Sequence, residues 1–219
     1  MKDYPTDRIR NLALIGHGGT GKTSFAEAAL FVSGAINRLG KVEEGTTTSD
    51  FDPDELKRKV SINASLLPCE WDGYKINLID APGYADFIGD AYSALAAADS
   101  AVVVVCAASG VQVGTEQAWD MVMQRGMPRA ILINRLDREN ADFTSTLRQV
   151  QSELSKRCVA VQLPVGSEHA LQGVVDLVEM KAYLGEKGSE APIPEDMATD
   201  VEALRAELLK PSQRTMRTS

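Results

Sequence analysis

Aromatic side chains make up only 5% of this 219-residue chain, so Ala, Val, Leu and Ile must fill any core. With 44% of residues hydrophobic there is enough material for one. Cysteine is also scarce. Cys69, Cys106 and Cys158 are odd in number, widely spaced and free of any Cys-x-x-Cys pair. That pattern excludes a disulfide framework, and with only two histidines it argues against zinc. Cys106 ends a run of four valines and reads as a small buried thiol. Positive charge is in deficit, 23 Lys and Arg against 31 Asp and Glu, for a net charge of −8. This argues against broad, nonspecific coating of nucleic acid while leaving room for a local basic patch, and no direct DNA binding is expected. Long apolar runs are missing: the longest, 101–108, is far too short to span a bilayer, and Met1-Lys2-Asp3-Tyr4-Pro5 has no apolar signal region. The expectation is a cytoplasmic protein with no membrane partner, long enough for one large domain or one domain and part of another.

Against these absences stands Gly16-His17-Gly18-Gly19-Thr20-Gly21-Lys22-Thr23, a full match to G-x-x-x-x-G-K-[ST]. An apolar strand pattern precedes it (12–15) and an alanine-rich helical pattern opening at Ser24 follows. Glycines at 16, 18, 19 and 21 let successive amides turn inward around an anion, and the following helix presents its positive end there. Lys22 can then reach β- and γ-phosphates, while the Thr23 hydroxyl can ligate Mg²⁺. A nucleotide binder is implied.

Apolar strand-like runs alternate with helical patterns, which predicts an α/β fold with a mostly parallel sheet and helices on both faces. Segment 40–59 shows no period and reads as a long polar loop. Over 60–71 residues alternate, placing Val60, Ile62, Ala64 and Leu66 on one face of a strand. Asp72-Gly73 signals a hairpin turn to a strand at 75–79. Helices are expected at 86–98, at 115–125 with Thr115 as cap, at 142–158 and at 199–209. Further strands are expected at 101–107, 129–134 and 159–165, with one more and a bend over 173–183. Residues 210–219 carry three basic side chains, no acidic ones and no apolar period, and read as an unstructured tail.

Two more motifs turn the nucleotide reading toward guanine. Asp80-Ala81-Pro82-Gly83 ends a strand pattern about sixty residues past the phosphate loop. Asp80 can hold Mg²⁺ through a water, and Gly83 can bring its amide to the γ-phosphate. Asn134-Arg135-Leu136-Asp137 ends another strand. A carboxylate at Asp137 can accept from guanine N1–H and N2–H₂, a pair adenine does not offer. Asn134 would tie this turn to the phosphate loop, and Arg135 can stack on the base. For the further hydroxyl on Mg²⁺, Ser61 is preferred over Thr46, Thr47 and Thr48.

Together these residues resemble a translational GTPase, specifically the N-terminal part of elongation factor G. The resemblance runs through the phosphate loop, Leu78 to Phe87, Gly110-Val111-Gln112 and Asn134 to Arg138. It continues in Leu163 to Gly166 and Gly173 to Leu177, which resemble the subdomain that factor G inserts in its G domain. Residues 38–48 and the Asp-Ala-Pro-Gly-Tyr wording are closer to the second, elongation factor G-like branch. The resemblance implies a P-loop G domain over 1–158 lacking its last strand and helix and a partial α+β subdomain over 159–209, while the tail over 210–219 departs from the family pattern. It also implies GTP hydrolysis to GDP with Mg²⁺, the ribosome as partner of the full-length protein, and a fragment of a longer factor. Lys22, Gly83 and Tyr84 would be catalytic. In this register Ser61 takes the place of the family's magnesium-binding threonine, beside Thr23 and Asp80.

Tyr84 stands where the family carries a water-positioning histidine. A phenol can hydrogen-bond a water but lacks an imidazole's acid–base range near neutrality. Two alternatives therefore stand beside the GTPase: a guanine-nucleotide switch with little turnover, and an ATP-dependent kinase on a similar loop.

Overall fold

The computed structural model describes residues 2–185 and 187–210; of the tail expected over 210–219, only Lys210 falls among them. The chain divides into two compact units, the first ending at Arg135 and the second starting at Leu136.

The first unit is built on a five-stranded sheet in the order β2-β3-β1-β4-β5. Its strands are β1 (Ile9–Ile15), β2 (Ser65–Trp71), β3 (Tyr74–Asp80), β4 (Ser100–Cys106) and β5 (Arg129–Asn134). β1 lies parallel to β3 and β4, and β4 to β5; the edge strand β2 returns antiparallel on β3. Val103, Val104 and Val105 of β4 are fully buried, as an unbroken apolar run requires of a central strand. Helix α1 (Lys22–Val32) packs on β1, β2 and β3, α3 (Ile88–Ala97) on β1, and α4 (Val113–Gln124) on β4. The sheet's carboxyl ends thus deliver Ile15, Asp80 and Asn134 toward one edge, where α/β sheets carry their ligands.

Three expectations are corrected here. The strand expected from 60 begins only at Ser65, and its face is inverted: Leu67 and Cys69 are buried while Leu66 is 63% exposed. Leu66-Leu67 offers an apolar residue on either parity, so alternation could not fix the register. Ile62 and Asn63 are drawn off the sheet because their amides donate to Glu55 Oε1 at 2.9 and 3.0 Å. The segment 40–59, expected to be an aperiodic loop, contains a short helix, α2 (Pro53–Arg58). Asp52 caps it by accepting from the Asp54 amide at 2.8 Å, Glu55 accepts from the Asp52 amide at 3.2 Å, and Pro53 opens it. In α4 the cap is Gln112, not Thr115; Thr115 sits inside the first turn, its hydroxyl accepting from the Gln112 amide at 3.3 Å.

The second unit carries an antiparallel sheet in the order β6-β7-β8-β9: β6 (Gln162–Val165), β7 (Gly173–Asp176), β8 (Lys181–Leu184) and β9 (Ser189–Ala191). Val175, Leu177, Ala182 and Val201 centre its core, the last from α6 (Ala198–Leu208). Helix α5 (Phe143–Gln149) packs Phe143 and Leu147 against the same core. It is capped by Asp142, which accepts from the Ser145 amide at 2.9 Å, and runs into a π turn over Val150–Leu154. The helix expected to reach 158 therefore stops at Leu154.

Candidate functional site

The loop between β1 and α1 wraps around the Lys22 ammonium. Lys22 is 6% exposed, and its Nζ donates to the Gly16 carbonyl at 3.1 Å and the His17 carbonyl at 3.0 Å. Thr20 steadies the bend, its hydroxyl donating to the His17 carbonyl at 3.0 Å. Gly21 caps α1 in the left-handed region, at φ 91°, so the helix opens directly at Lys22 and Thr23 with free amides facing the loop. Ser24 is exposed at the rim.

Asp80 arrives from the end of β3, fully buried. Its Oδ2 accepts from the Thr23 hydroxyl at 2.7 Å and the Ser49 hydroxyl at 2.8 Å. Ser61 Oγ lies 3.1 Å from Thr23 Oγ1 and donates to Asp50 Oδ1 at 2.7 Å. Thr23, Ser61 and Asp80 are thus brought together from α1, the segment before β2, and β3. Ser61 reaches this position from irregular chain rather than from the strand expected to begin near it. Thr46 and Thr48 point elsewhere, to Lys41 and Glu27.

Burial raises the pKa of Asp80, opposed by its bonds to Thr23 and Ser49 and by the Lys22 charge. Burial raises Asp50 as well, against the bond from Ser61. For Lys22 burial lowers the pKa to about 8, opposed by Asp80 and then Asp50. The site is thus one desolvated cation beside two desolvated acids.

Gly83 follows Asp80 by three residues and presses its main chain on the loop. A Cβ there would collide with Lys22 Nζ and fall 2.7 Å from the Gly16 carbonyl oxygen, so no larger residue fits. Next in sequence, Tyr84 lays its ring over Gly18, where an added Cβ would fall 2.7 Å from Cζ. The ring remains 44% exposed at the mouth of the cleft. That cleft, about 300 Å³, is lined by Gly18, Gly19, Gly21, Lys22, Thr23, Ser24, Asp50, Ser61, Gly83, Tyr84 and Arg135 among others.

β5 supplies Asn134, whose Nδ2 donates to the Thr20 carbonyl at 2.9 Å and approaches that of Gly21 at 3.4 Å. Arg135, in a left-handed conformation at φ 60°, places Nε against Gly21. Asp137 is an exposed residue of the turn opening the second unit.

Four acids and hydroxyls of this region are missed by sequence reasoning: Ser49, Asp50, Glu27 and Glu55. Two carry readable signals. Asp52-Pro53-Asp54-Glu55 is a capping-box string, and Glu27 interrupts the apolar face of α1 between Ala26 and Leu30.

The residues fit Mg²⁺. Among the described residues no group of three or more His, Cys, Asp or Glu could hold a metal alone. Magnesium, however, takes one or two carboxylates plus phosphate oxygens. Asp80 Oδ1 is buried with no protein partner, beside the oxygens of Thr23 and Ser61.

The elongation factor Tu GTP binding domain family matches residues 7–208. A crystal structure from Thermus thermophilus is similar over 92% of this chain, with 39% sequence identity and a TM-score of 0.87. The present chain spans 31% of that one.

Proposed function

The chain belongs to the elongation factor Tu GTP binding domain family, a GTP-binding domain of translation-factor type, and from that premise we propose that it hydrolyses GTP to GDP and phosphate. Within the family we assign it to an elongation factor G-like factor that works on the ribosome in the cytoplasm, on the motifs from Leu78 to Phe87 and Asn134 to Arg138. The proposed division, a G domain over 1–158 and part of an inserted subdomain over 159–209, follows that family register rather than the two compact units.

The observation that carries the reading is the meeting of Lys22, Thr23 and Gly83 in one cleft, with Asp80 buried behind it and bonded to the Thr23 hydroxyl. Thr23, Ser61 and Asp80 would hold Mg²⁺, which when bound neutralises charge on the β- and γ-phosphates. Lys22 neutralises charge on the same phosphates. Water attacks the γ-phosphorus in line, the bond to the β,γ-bridging oxygen breaks, and the water's protons leave with phosphate. Loop amides at 16–24 hold the α- and β-phosphates in place during the step.

A pH dependence follows from the Lys22 value of about 8 in the free protein. Phosphates at that ammonium favour its charged form, so the bound state keeps a proton the free state loses between pH 8 and the ordinary lysine range. Affinity then falls as pH rises through that window, and binding is expected to be roughly tenfold weaker at about pH 9 than at about pH 7. Calorimetry in two buffers of different ionisation enthalpy checks the sign. Unequal heats revealing proton uptake are expected; equal heats contradict it.

Tyr84 decides between turnover and a second reading, a guanine-nucleotide switch with little hydrolysis. Its ring over Gly18 favours that second reading, since a phenol occupies the position of the family's histidine. Single-turnover hydrolysis with and without ribosomes separates the two. Small GTPases run at roughly 10⁻⁴ s⁻¹ unaided and about 10⁵-fold faster with an activator. The GTPase reading expects ribosome-dependent phosphate release that Tyr84→His raises by about tenfold or more and Tyr84→Ala changes as well, with GDP affinity preserved. Unchanged rates in both variants remove Tyr84 from the mechanism, and no release under any condition leaves the switch.

A further inference from the structure

Helix α1 buries Ala26 and Leu30 in the core, and between them it buries an acid, Glu27, only 2% exposed. Glu27 follows Thr23 by four residues and so lies one turn along the same side of the helix. A buried carboxylate is costly unless its oxygens are hydrogen-bonded. Those bonds come from the polar segment before α2. Oε1 accepts from the Gly40 amide at 3.1 Å and the Thr48 hydroxyl at 3.3 Å, and Oε2 accepts from the Thr48 amide at 2.8 Å. The seat is tight from the other side too: a Cβ at Gly40 would fall 2.6 Å from Oε1 and collide with the Thr46 carbonyl.

Directly after Thr48 come Ser49, bonded to Asp80, and Asp50, bonded to Ser61. Glu27 therefore fixes the chain one residue before the side chains that face Lys22 and Thr23. The bonds are of a kind that can open. A carboxylate and a peptide amide both find water when parted, so releasing the segment orphans neither group.

We propose that Glu27 is a positioning residue that couples the phosphate-loop helix to segment 40–50 and so sets the preference of the site for a nucleoside triphosphate over a diphosphate. The inference rests on the GTP-binding reading above. A diphosphate is gripped by the loop at 16–24 itself, Lys22 included, whereas a third phosphate extends beyond it toward Gly83 and the Ser49–Ser61 side, which Glu27 holds.

The test uses the full chain with Mg²⁺, titrated with GDP and with a non-hydrolysable GTP analogue. Glu27→Gln keeps the shape but sets an amide donor against the Gly40 or Thr48 amide. Gly40→Ala unseats the segment by crowding Glu27 Oε1 and the Thr46 carbonyl while leaving the sequence of α1 unchanged, and decides by the same criterion should Glu27→Gln fail to fold by circular dichroism. The dissociation constant for the analogue is expected to rise about tenfold in each, as loss of one charge-assisted hydrogen bond implies, with GDP changed by less than about twofold. Proteolysis of the 40–63 segment is expected to be slowed by the analogue in the wild type and not in the variants. Equal losses for both nucleotides, or none, overturn the inference. A wild type that binds neither nucleotide overturns the GTP-binding reading instead.

Discussion

Replacing Asp137 with asparagine is expected to weaken GTP binding about 100-fold while leaving ATP binding within about threefold. The carboxylate is assigned two charge-assisted hydrogen bonds to guanine, from N1–H and N2–H₂, each contributing about 1.5–3 kcal/mol. Asparagine offers one neutral acceptor and one donor, so one guanine N–H faces another donor and the other loses its charged partner, and both charge-assisted bonds are lost. Asp137 is exposed at the start of the second unit. Solvent therefore competes for it, and the lower end of that range applies rather than the larger factors of a sealed pocket. Adenine offers no N1–H and no N2 amine, so its affinity has nothing to lose. Competition between GTP and ATP for the wild type and Asp137→Asn reads the ratio directly. A ratio that does not move removes Asp137 from base recognition, and a wild type preferring ATP restores the kinase alternative.

Lys22→Ala is expected to act on every nucleotide alike, lowering GDP and GTP affinity by roughly 100-fold or more. The ammonium already sits on the Gly16 and His17 carbonyls at 3.1 and 3.0 Å, nearly closed from solvent. Phosphates entering the loop meet a fixed, desolvated charge, which strengthens the attraction over its value in water. The variant leaves Asp80 and Asp50 without the cation that opposes their burial. The free protein can nonetheless gain stability, because a desolvated lysine in a nucleotide-free site is itself costly. A higher melting temperature combined with lost binding would separate a functional charge from a structural one. Lost binding with a collapsed fold would instead make Lys22 a scaffold residue.

Much of this architecture is legible in the chain because its signals are local. The strand expected at 129–134 matches β5 to the residue, since an apolar run there is bounded by Pro128 and the polar turn after Asn134. The phosphate loop needs only its glycines and Lys22. The start of β2 escapes the pattern for a non-local reason. Glu55 captures the Ile62 and Asn63 amides, and nothing within 60–66 reveals a side chain arriving from α2. Ser61 is selected by its chemistry, and lies beside Thr23 although the strand invoked to carry it starts four residues later. Ser49 and Asp50 give no such signal, because their importance comes from where Glu27 anchors Thr48, a contact across 21 positions of sequence. Glu27 itself is visible as a misfit, an acid on an apolar helix face.

Calorimetric titration of the folded chain with GDP, in Mg²⁺ and with ATP as competitor, tests the central claim most directly: that the loop from Gly16 to Thr23, with its buried ammonium, grips a guanine nucleotide's phosphates. The account predicts a saturable heat for one site that excess ATP does not displace and that Lys22→Ala abolishes. No heat with either GDP or GTP, in protein whose circular dichroism shows an intact fold, would contradict it.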